Sequence, residues 1–279
     1  MRQLGEVLRL SAGYLSEHGS PTPRLDAELL IGHALGLPRI ELYTNFDRPL
    51  DESELAACRA LLERRGRREP VAYILGRWGF HGLDLAVDGR VLVPRPETEV
   101  LVERCLALIQ GTEAPRVADV GTGSGAVALA IKAARPDAAV TATDVSPDAL
   151  AVARANAAAL GLEVELVEAD LLAGVEGRFA LVASNPPYIG EAEMAGLEPE
   201  VAEYEPRLAT VAGPAGTEVL ERLAAAAPEA LEPGGWLVLE CGAGQAEAVR
   251  GLLTAAGAGE TFAEPDLAGI DRVVGGRWG

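Results

Sequence analysis

The chain contains 279 residues, of which 49% are hydrophobic, and carries a formal charge of −18 at pH 7. This length and hydrophobic content allow a core of ordinary size in one large domain, or in one large and one small domain. The acidic balance repels nucleic-acid phosphates over most of the surface, and no run approaches the ~18 apolar residues of a membrane helix.

Cysteine usage and the amino terminus both indicate a cytoplasmic protein. Cys58, Cys105 and Cys241 are far apart and lack the paired spacing of a zinc site or a disulfide framework, so we expect buried thiols in a reducing compartment. Glu6 and Arg9 fall inside what would have to be the apolar core of a signal peptide. We therefore expect the protein to be cytoplasmic, without a membrane segment.

Residues 1–70 show helical periodicity without strand alternation. Apolar residues recur at helical spacing in three stretches, and prolines punctuate them. The pattern predicts a small helical amino-terminal domain over residues 1–70. This domain closes with RRGRRE at 64–69, which we interpret as a solvated helix end whose arginines meet the negative pole of the dipole, with a contact patch for an acidic partner as the alternative.

Short β-like pieces broken by glycines follow, in YILGRWGFHGLDLAVDGRVLV. Asp88-Gly89 lies between two alternating runs, which is a strong hairpin signal, and we predict a β-hairpin linker over residues 71–95. A helix is predicted next, because Pro96 suits a first helical turn and an apolar stripe follows it. We interpret Arg95 and Glu97 as an ion pair that fixes the linker, with contact to cofactor or substrate as the alternative.

Strands and helices alternate from about residue 116, within a predicted domain of residues 96–279. The strand candidates are RVADV, AVTATD, VELVEAD, RFALVASN and GWLVLEC. Repeated strand-helix units predict an α/β fold, with a parallel sheet and helices on both of its faces. TFAEPD and DRVVGGRW offer two more strands after the last helix, so we expect the sheet to end in a hairpin with one antiparallel strand.

The segment ADVGTGSGAVALAI places glycines directly after a strand and at the start of a helix. Glycines there allow a sharp turn and a close approach to a ligand, and the helix amino terminus offers free N–H groups. Structural glycines in a tight turn are the alternative. Asp144 ends the following strand, about 20 residues on, where an acid can accept hydrogen bonds from both ribose hydroxyls. Together these features favour adenosine binding.

The spacing GxGxG, with an acid two residues before the first glycine, differs from the GxGxxG of dinucleotide sites. The acid disfavours a pyrophosphate and suits the ammonium of a methionine group, so we predict S-adenosylmethionine as the cofactor. Asp170 ends the third strand, where it can accept from the adenine amine, with Leu171 beside the ring. The predicted cofactor residues are Asp119, Gly121, Thr122, Gly123, Ser124, Gly125, Asp144, Asp170, Leu171 and Asn185.

The segment SNPPYI follows the fourth strand, at the sheet edge where open parallel sheets bind ligands. A planar NH2 group is a poor nucleophile because its lone pair is delocalised, so it must be held in line and its hydrogens drawn toward acceptors. Asn185 and the carbonyl of Pro186 can accept those hydrogens, Pro187 stiffens the backbone, and Tyr188 offers a flat face to the amide. We predict Asn185, Pro186 and Tyr188 as catalytic residues, with placement and preorganised dipoles as their contribution.

The segments YILGRWGFHGLDLAVDGRVLVPRPETE, DVGTGSGAVALA, SNPPYI and YEPRLA together resemble the HemK/PrmC family of release factor glutamine methyltransferases. The resemblance covers nearly the whole chain. It implies a class I methyltransferase domain, Rossmann-like and seven-stranded, with S-adenosylmethionine as donor. It also implies that Asn185, Pro186, Pro187 and Tyr188 grip the acceptor, which is the glutamine amide in the Gly-Gly-Gln loop of class 1 peptide chain release factors. Leu171 stands where relatives often carry an aromatic residue.

Two other function classes remain as alternatives. An adenine amine methyltransferase acting on DNA or RNA uses a similar grip, but it should show a basic groove, and the charge of −18 opposes one. A cofactor-sensing module without activity would need a disabled acceptor site, whereas the Asn-Pro-Pro-Tyr segment is intact. We expect a monomeric enzyme whose partner is a release factor, with no role for nucleic acid or metal.

Overall fold

The computed structural model describes residues 2–279, which divide into two compact units. Unit 1 comprises the chain up to Arg77 together with Glu198–Tyr204. Unit 2 comprises Trp78–Leu197 and Glu205–Gly279. A short piece that follows the Asn-Pro-Pro-Tyr segment therefore belongs to the amino-terminal unit, which no local pattern in the sequence indicated.

Unit 1 is helical, with one very short antiparallel strand pair. Its elements are β1 (Arg2–Gln3), α1 (Leu4–Glu17), α2 (Pro23–Leu35), α3 (Arg39–Thr44), β2 (Pro49–Leu50), α4 (Glu52–Gly66) and α5 (Val71–Leu75). Local chemistry explains the ends of these helices. Gly36 ends α2 in the left-handed conformation, and Asp51 and Glu54 form a capping box at the start of α4.

The RRGRRE segment lies inside an ion-pair network of unit 1, so its interpretation as a solvated helix end was wrong. Arg65 is only 4% exposed, and it donates to Asp26 and to Glu200, each over 2.7 Å. Arg68 also pairs with Glu200 and with Glu198. The arginines are therefore neutralised within unit 1, and the segment Glu198–Tyr204 supplies part of the negative charge.

The hairpin lies earlier in the chain than its predicted turn. Strands β3 (Arg77–Phe80) and β4 (Leu83–Ala86) pair with each other, and His81 and Gly82 connect them with positive φ angles of 47° and 76°. Asp88-Gly89 forms a separate turn, in which Asp88 accepts from the backbone N–H of Arg90 over 3.0 Å. The predicted hairpin is present within residues 71–95, but Asp88-Gly89 is not its turn, because an Asp-Gly pair is equally suited to a turn outside a ladder.

Unit 2 contains a seven-stranded sheet in the order β12-β13-β11-β8-β5-β6-β7. Its strands are β5 (Arg116–Val120), β6 (Ala139–Asp144), β7 (Glu165–Glu168), β8 (Phe179–Ser184), β11 (Leu231–Glu240), β12 (Glu260–Pro265) and β13 (Asp271–Arg277). Strand β13 pairs antiparallel with both of its neighbours, while the other pairings are parallel. The predicted α/β fold with a terminal hairpin and one antiparallel strand is confirmed.

Helices cover both faces of this sheet. The α-helices of unit 2 are α6 (Pro96–Leu108), α7 (Ala126–Ala134), α8 (Pro147–Leu160), α9 (Arg207–Thr210), α10 (Glu218–Ala230) and α11 (Ala246–Ala255). Two short strands, β9 (Ile189–Gly190) and β10 (Val211–Gly213), pair outside the main sheet. One apolar cluster joins α6, α7 and α8 to one face, and a second joins α10 and α11 to the other. Alternate residues of β5 enter opposite clusters, as strand geometry requires.

The order of the strands locates the point at which a ligand should bind. The chain builds β5, β6 and β7 toward one edge and then returns to place β8 and β11 on the other side of β5. Open α/β sheets bind ligands at such a reversal, outside the carboxyl ends of the strands. The carboxyl ends of β5, β6 and β8 carry the glycine-rich turn, Asp144 and Asn185.

Candidate active site

A cavity of about 230 Å³ opens at this edge of the unit 2 sheet. Most of the residues predicted from the sequence line it. Those are Asp119, Gly121, Thr122, Gly123, Ser124, Asp144, Asp170, Leu171, Asn185, Pro186 and Pro187. Gly125 and Tyr188 are not among its lining residues. The structure thus brings the two predicted half-sites, the glycine-rich turn and the segment that begins at Asn185, into one cavity.

The glycine-rich turn depends on backbone conformations that suit glycine. Gly121, Gly123 and Gly125 have φ angles of 73°, 57° and 85°, in the left-handed region. A Cβ atom at Gly121 or Gly123 would meet no atom within 4 Å, whereas one at Gly125 would lie 2.9 Å from Leu129 Cδ1. The first two glycines therefore keep the backbone accessible to a ligand, and Gly125 allows α7 to begin closely packed.

Asp119 holds the turn from beneath. Its Oδ2 accepts from the Thr122 hydroxyl over 2.6 Å and from the Ala128 N–H over 3.0 Å, while its Oδ1 accepts no hydrogen bond within residues 2–279. Burial raises the pKa of Asp119 to about 6, and the nearby charge of Asp144 acts in the same direction. The carboxylate therefore organises the loop with one oxygen and leaves the other for a cation.

Asp144 ends β6 beside the same turn. One carboxylate oxygen accepts from Gly123 N–H and the other from Ser146 N–H, each over 2.9 Å. Ser146 in turn caps α8, since its hydroxyl accepts from the Ala149 N–H over 3.2 Å. Each oxygen of the carboxylate keeps a further lone pair, so Asp144 is oriented by the backbone and retains the capacity to accept from two hydroxyl groups.

The residues predicted for the adenine lie farther out. Asp170 is exposed and pairs with Arg222 over 2.8 Å. Leu171 has a φ of 57°, which is uncommon for a residue with a side chain, and its carbonyl accepts from the Thr143 hydroxyl over 2.8 Å. The bond from Thr143 fixes the strained backbone at the cavity wall.

Asn185 is oriented by a partner that we did not predict. Its Nδ2 donates to the Thr98 hydroxyl oxygen over 3.0 Å. No donor within residues 2–279 reaches its Oδ1 or the carbonyl of Pro186. Asn185 Oδ1 and the Pro186 carbonyl are therefore two unused acceptors on adjacent residues beside the cavity. A planar NH2 group needs two such acceptors, one for each of its hydrogens.

Tyr188 lies behind the segment, where its side chain packs against the α10 and α11 cluster. Its carbonyl accepts from Gln245 Nε2 over 3.1 Å. Burial raises the pKa of Tyr188 to about 12, and the charge of Glu240 adds to this effect. Tyr188 therefore stays neutral, and the structure places its ring in support of the segment; contact between this ring and the substrate remains a prediction.

Arg95 pairs with Glu205 rather than with Glu97. Glu205 is buried, and its other oxygen accepts from the Val93 N–H over 3.2 Å. Burial raises the pKa of Glu205, although Arg95 opposes this. Glu205 belongs to the YEPRLA segment, so a motif did mark it, but the sequence pattern could not show which distant arginine it meets.

Sequence reasoning also missed Thr98 and Glu240. Thr98 lies on the buried face of α6 with Leu101, Val102 and Cys105, a helical stripe in which a hydroxyl is unexpected. Glu240 ends β11 after the apolar run WLVL and is 1% exposed. A polar residue within an otherwise apolar pattern was the available signal at both positions.

The described residues contain neither a metal-binding cluster nor a membrane-spanning helix. Within residues 2–279, no group of histidine, cysteine and carboxylate side chains is arranged to hold a metal ion. In that same part of the chain, no helix combines the length and apolar composition needed to cross a membrane. Cys58, Cys105 and Cys241 are free and buried, as predicted.

Comparison with known proteins gives consistent matches for both units. A model of the PrmC N-terminal domain matches residues 6–76, and a model of the methyltransferase small domain matches residues 97–198. The release factor glutamine methyltransferase of Geobacter sulfurreducens is 48% identical over 98% of this chain and 96% of its own length. The Deinococcus radiodurans enzyme of the same name is 44% identical over 99% of this chain and 98% of its own length.

A solved structure supports the fold. The methyltransferase from Pyrococcus furiosus superimposes with a TM-score of 0.51 at 21% identity, over 71% of this chain and 90% of its own length. At this level of identity the likeness concerns the fold alone. The seven-stranded sheet with one antiparallel strand is accordingly the class I methyltransferase fold.

Proposed function

The chain belongs to the release factor glutamine methyltransferase family, and from that premise we propose that it methylates class 1 peptide chain release factors. The methyl group comes from S-adenosylmethionine, and the acceptor is the side-chain amide nitrogen of the glutamine in the Gly-Gly-Gln loop. The modification acts on translation termination. The single observation that carries this proposal is the pair of unused acceptors, Asn185 Oδ1 and the Pro186 carbonyl, beside the cavity.

The cofactor residues divide by chemistry. The turn from Gly121 to Gly125 lets the cofactor approach the backbone closely, because Gly121 and Gly123 carry no side chain. Asp144 accepts from the ribose hydroxyls, and Asp170 and Leu171 border the adenine. The free Oδ1 of Asp119 suits the ammonium group of the methionine part. When bound, S-adenosylmethionine supplies an electrophilic methyl group. The lining residues fit this group because the glycines leave open space where side chains would project.

Asn185 and Pro186 act by positioning the amide group of the substrate glutamine. Asn185 Oδ1 and the Pro186 carbonyl each accept one hydrogen of the glutamine NH2, which aligns its nitrogen with the methyl group. Both acceptors become more favourable as positive charge develops on that nitrogen, so they stabilise the transition state more than the bound substrate. The methylated nitrogen can lose its extra proton to water, so no general base is needed.

Methylation of an adenine amine is the competing function, and the charge distribution opposes it. The RRGRRE segment was the only basic cluster in its favour. Arg64, Arg65 and Arg68 pair with acidic residues of unit 1. Because their charges are already neutralised, these arginines attract nucleic-acid phosphates less strongly. The protein substrate is therefore preferred.

We further propose that the helical domain of residues 1–70 recognises the folded release factor. Residues 71–95 link this domain to the catalytic domain of residues 96–279. The enzyme works as a monomer. Release factors act in the cytoplasm, and the three buried thiols suit a reducing compartment. Remote contacts with a folded partner would supply part of the energy that positions the amide. A short Gly-Gly-Gln peptide should then be a poorer substrate than the intact factor.

The test uses S-adenosylmethionine with an intact class 1 release factor. We expect peptide mass spectrometry to find one added methyl group on the loop glutamine. A matched factor with glutamate at that position should gain none, because a carboxylate has no hydrogens for the two acceptors and brings a charge into their pocket. Methyl groups on nucleic-acid bases, with none on the factor, would overturn the proposal.

A further inference from the structure

Two segments of unit 2 that lie outside the main sheet form part of the cavity wall. The first wall segment, residues 90–95, leads into α6, and all of its members except Val93 line the cavity. The second wall segment, residues 206–209, includes the start of α9, and it contributes Pro206, Leu208 and Ala209 to the lining. Glu205 directly precedes the second segment and is not itself a lining residue.

Glu205 joins the two wall segments through both of its carboxylate oxygens. Its Oε1 accepts from the Val93 N–H over 3.2 Å, and its Oε2 accepts from Arg95 Nη2 over 2.5 Å, although Arg95 lies 110 residues away in the sequence. The Glu205 side chain is 1% exposed and that of Arg95 is 33% exposed. Since one donor meets each oxygen, the carboxylate has a single orientation, which fixes the second wall segment against the first.

Hydrogen bonds continue from Arg95 to the acceptor residue Asn185. Arg95 is the cap residue before α6, and its carbonyl accepts from the Thr98 N–H over 3.1 Å. The Thr98 hydroxyl oxygen accepts from Asn185 Nδ2 over 3.0 Å. Glu205 therefore holds the residue at which α6 begins, and the first turn of that helix holds Asn185.

The cofactor half of the cavity is held by other groups. Asp119 and Asp144 accept from N–H groups and a hydroxyl that all belong to residues 122–146. Loss of the Glu205 bridge to Val93 and Arg95 should therefore disturb the acceptor residues more than the cofactor residues.

A buried ion pair at this place suits orientation better than it suits stability. Burial raises the pKa of Glu205, and Arg95 opposes that rise. Buried ion pairs add little net stability compared with well-packed apolar residues, because both charges lose water. Charge-assisted hydrogen bonds have a fixed direction, however, which apolar contacts lack.

We propose that Glu205 and Arg95 are positioning residues that hold the two wall segments together and so keep Asn185 aligned with the acceptor nitrogen. This inference rests on the proposed function, because it assigns a role within the same methyl transfer. Glu205 lies outside the cavity lining, so it acts on the reaction only through Arg95 and Val93.

Glu205→Gln gives the first test, with single-turnover rates on the intact release factor at saturating S-adenosylmethionine. Glutamine keeps the shape but has one oxygen and one NH2 group, so a donor must face either Val93 or Arg95. We expect the rate to fall roughly 10- to 100-fold, because a small misplacement of the reacting groups can cost that much. Calorimetric affinity for S-adenosylmethionine should change less than about 3-fold.

Asp266→Asn is the matched control. Asp266 is a buried carboxylate of the same unit that accepts from the Ala268 and Ile270 N–H groups and pairs with Arg272 over 3.4 Å. It does not line the cavity. Both variants should lower the melting temperature, but only Glu205→Gln should slow methyl transfer. A Glu205→Gln rate within about 2-fold of the Asp266→Asn rate would overturn the inference.

Substitution of Arg95 gives the second test, and it decides the same point if Glu205→Gln does not fold. Arg95 donates only one hydrogen bond to Glu205, so Arg95→Lys can keep the ion pair and should stay within about 5-fold of the wild-type rate. Arg95→Met removes the cation and should be as slow as Glu205→Gln. Equal rates for the lysine and methionine variants would contradict the positioning role.

The double variant Arg95→Met/Glu205→Gln shows whether the two residues act as one unit. If they do, its rate should be no lower than that of the slower single variant, because the second change has no bridge left to break. Losses that multiply would show that Arg95 acts on the substrate independently of Glu205, which would overturn the inference.

Failure of this inference differs from failure of the proposed function. If the wild-type enzyme leaves the release factor unmodified, the proposed function is wrong and the positioning role falls with it. If the wild type methylates the factor but Glu205→Gln and Arg95→Met keep the rate of the Asp266→Asn control, only the positioning role is wrong.

Discussion

Buried carboxylates in unit 1 and at the carboxyl edge of the unit 2 sheet are held in different ways. In unit 1, Asp26 and Glu28 are buried against arginines, Asp26 against Arg65 and Glu28 against Arg39. In unit 2, Asp119 and Asp144 at the carboxyl edge of the sheet form no salt bridge within residues 2–279 and are held by backbone N–H groups and a hydroxyl. The first arrangement supports a structure, and the second leaves negative charge and acceptor capacity available to a ligand.

The pKa values follow this division. Burial acts to raise the pKa of Glu28, but hydrogen bonds from Tyr43, Arg39 and Arg24 outweigh it and hold that pKa below its usual value. Burial raises the pKa of Asp119 to about 6 and of Glu240 to about 7. Buried ion pairs therefore favour the charged form of Glu28 in unit 1. Asp119 at the cavity and Glu240 at the end of β11 keep the charged form only at a cost, as acids at functional sites often do.

The largest effect should come from breaking the buried ion pairs of unit 1. Arg65→Leu leaves Asp26 and Glu200 without their shared cation, which should cost about 3 to 5 kcal/mol of stability. Arg59→Leu, an exposed position on the same helix, is the control and should change little. Hydrogen exchange of α1 and α2 measures unit 1, and tryptophan fluorescence reports on unit 2, because Trp78, Trp236 and Trp278 all lie there. Equal losses in the two variants would contradict the assignment.

Asp144→Ala should weaken S-adenosylmethionine binding more than it reduces the stability of the fold. The ribose hydroxyls lose a charged acceptor, so we expect S-adenosylmethionine to bind roughly 2 to 4 kcal/mol more weakly. The turn at Gly123 also loses a hydrogen bond, which acts in the same direction. Isothermal titration calorimetry is the measurement, and unchanged affinity would move the ribose away from the end of β6.

Glu240 of unit 2 and Glu28 of unit 1 should contribute opposite pH dependence to stability. The folded-state pKa of Glu240 is raised, so its contribution favours the fold below about pH 4.5 and is lost as pH rises toward 7. Glu240→Gln should therefore gain stability relative to wild type across that window, by up to about 3 kcal/mol. The folded-state pKa of Glu28 is lowered, so its contribution is present above the unfolded pKa and is lost as pH falls through the folded one.

Hydrogen exchange of peptides from β11 and α2 at several pH values follows both units in one experiment. In β11 the difference between Glu240→Gln and wild type should grow from pH 4.5 to 7. In α2 the Glu28→Gln variant should be the less stable protein near pH 7 and should approach wild type in acid. The same sign in both units would show that their buried carboxylates do not differ.

Asp170→Ala should have the smallest effect. Asp170 is exposed, and its pair with Arg222 lies at the surface, where water screens such interactions to roughly 0 to 1 kcal/mol. We expect the affinity for S-adenosylmethionine to fall less than about 5-fold. A loss as large as that of Asp144→Ala would mean that Asp170 becomes enclosed when the cofactor binds.

Sequence patterns correctly predicted the structural elements that are determined by residues close together in the chain. Apolar runs predicted the strands of unit 2, and the glycine spacing predicted the turn before α7, because strand burial and positive φ angles act within a few residues. The segment at Asn185 was placed correctly at the end of β8 for the same reason.

Long-range partners lay beyond such reasoning. Arg65 meets Glu200, 135 residues later, and Arg95 meets Glu205, so neither pair has a signature in its own segment. The contact between Thr98 and Asn185 depends on the packing of α6 against the end of β8. Polar residues within apolar stripes mark such positions, but only the fold shows what they contact.

The central claim is that Asn185 acts on the acceptor and not on the cofactor, and Asn185→Ala tests it most directly. Single-turnover methyl transfer to the intact release factor should slow by ~10²–10³-fold, or about 2.7 to 4 kcal/mol of barrier. Calorimetric affinity for S-adenosylmethionine should stay within a few-fold of wild type. A variant that keeps the wild-type rate, or one that loses cofactor binding in proportion to the rate, would contradict the claim.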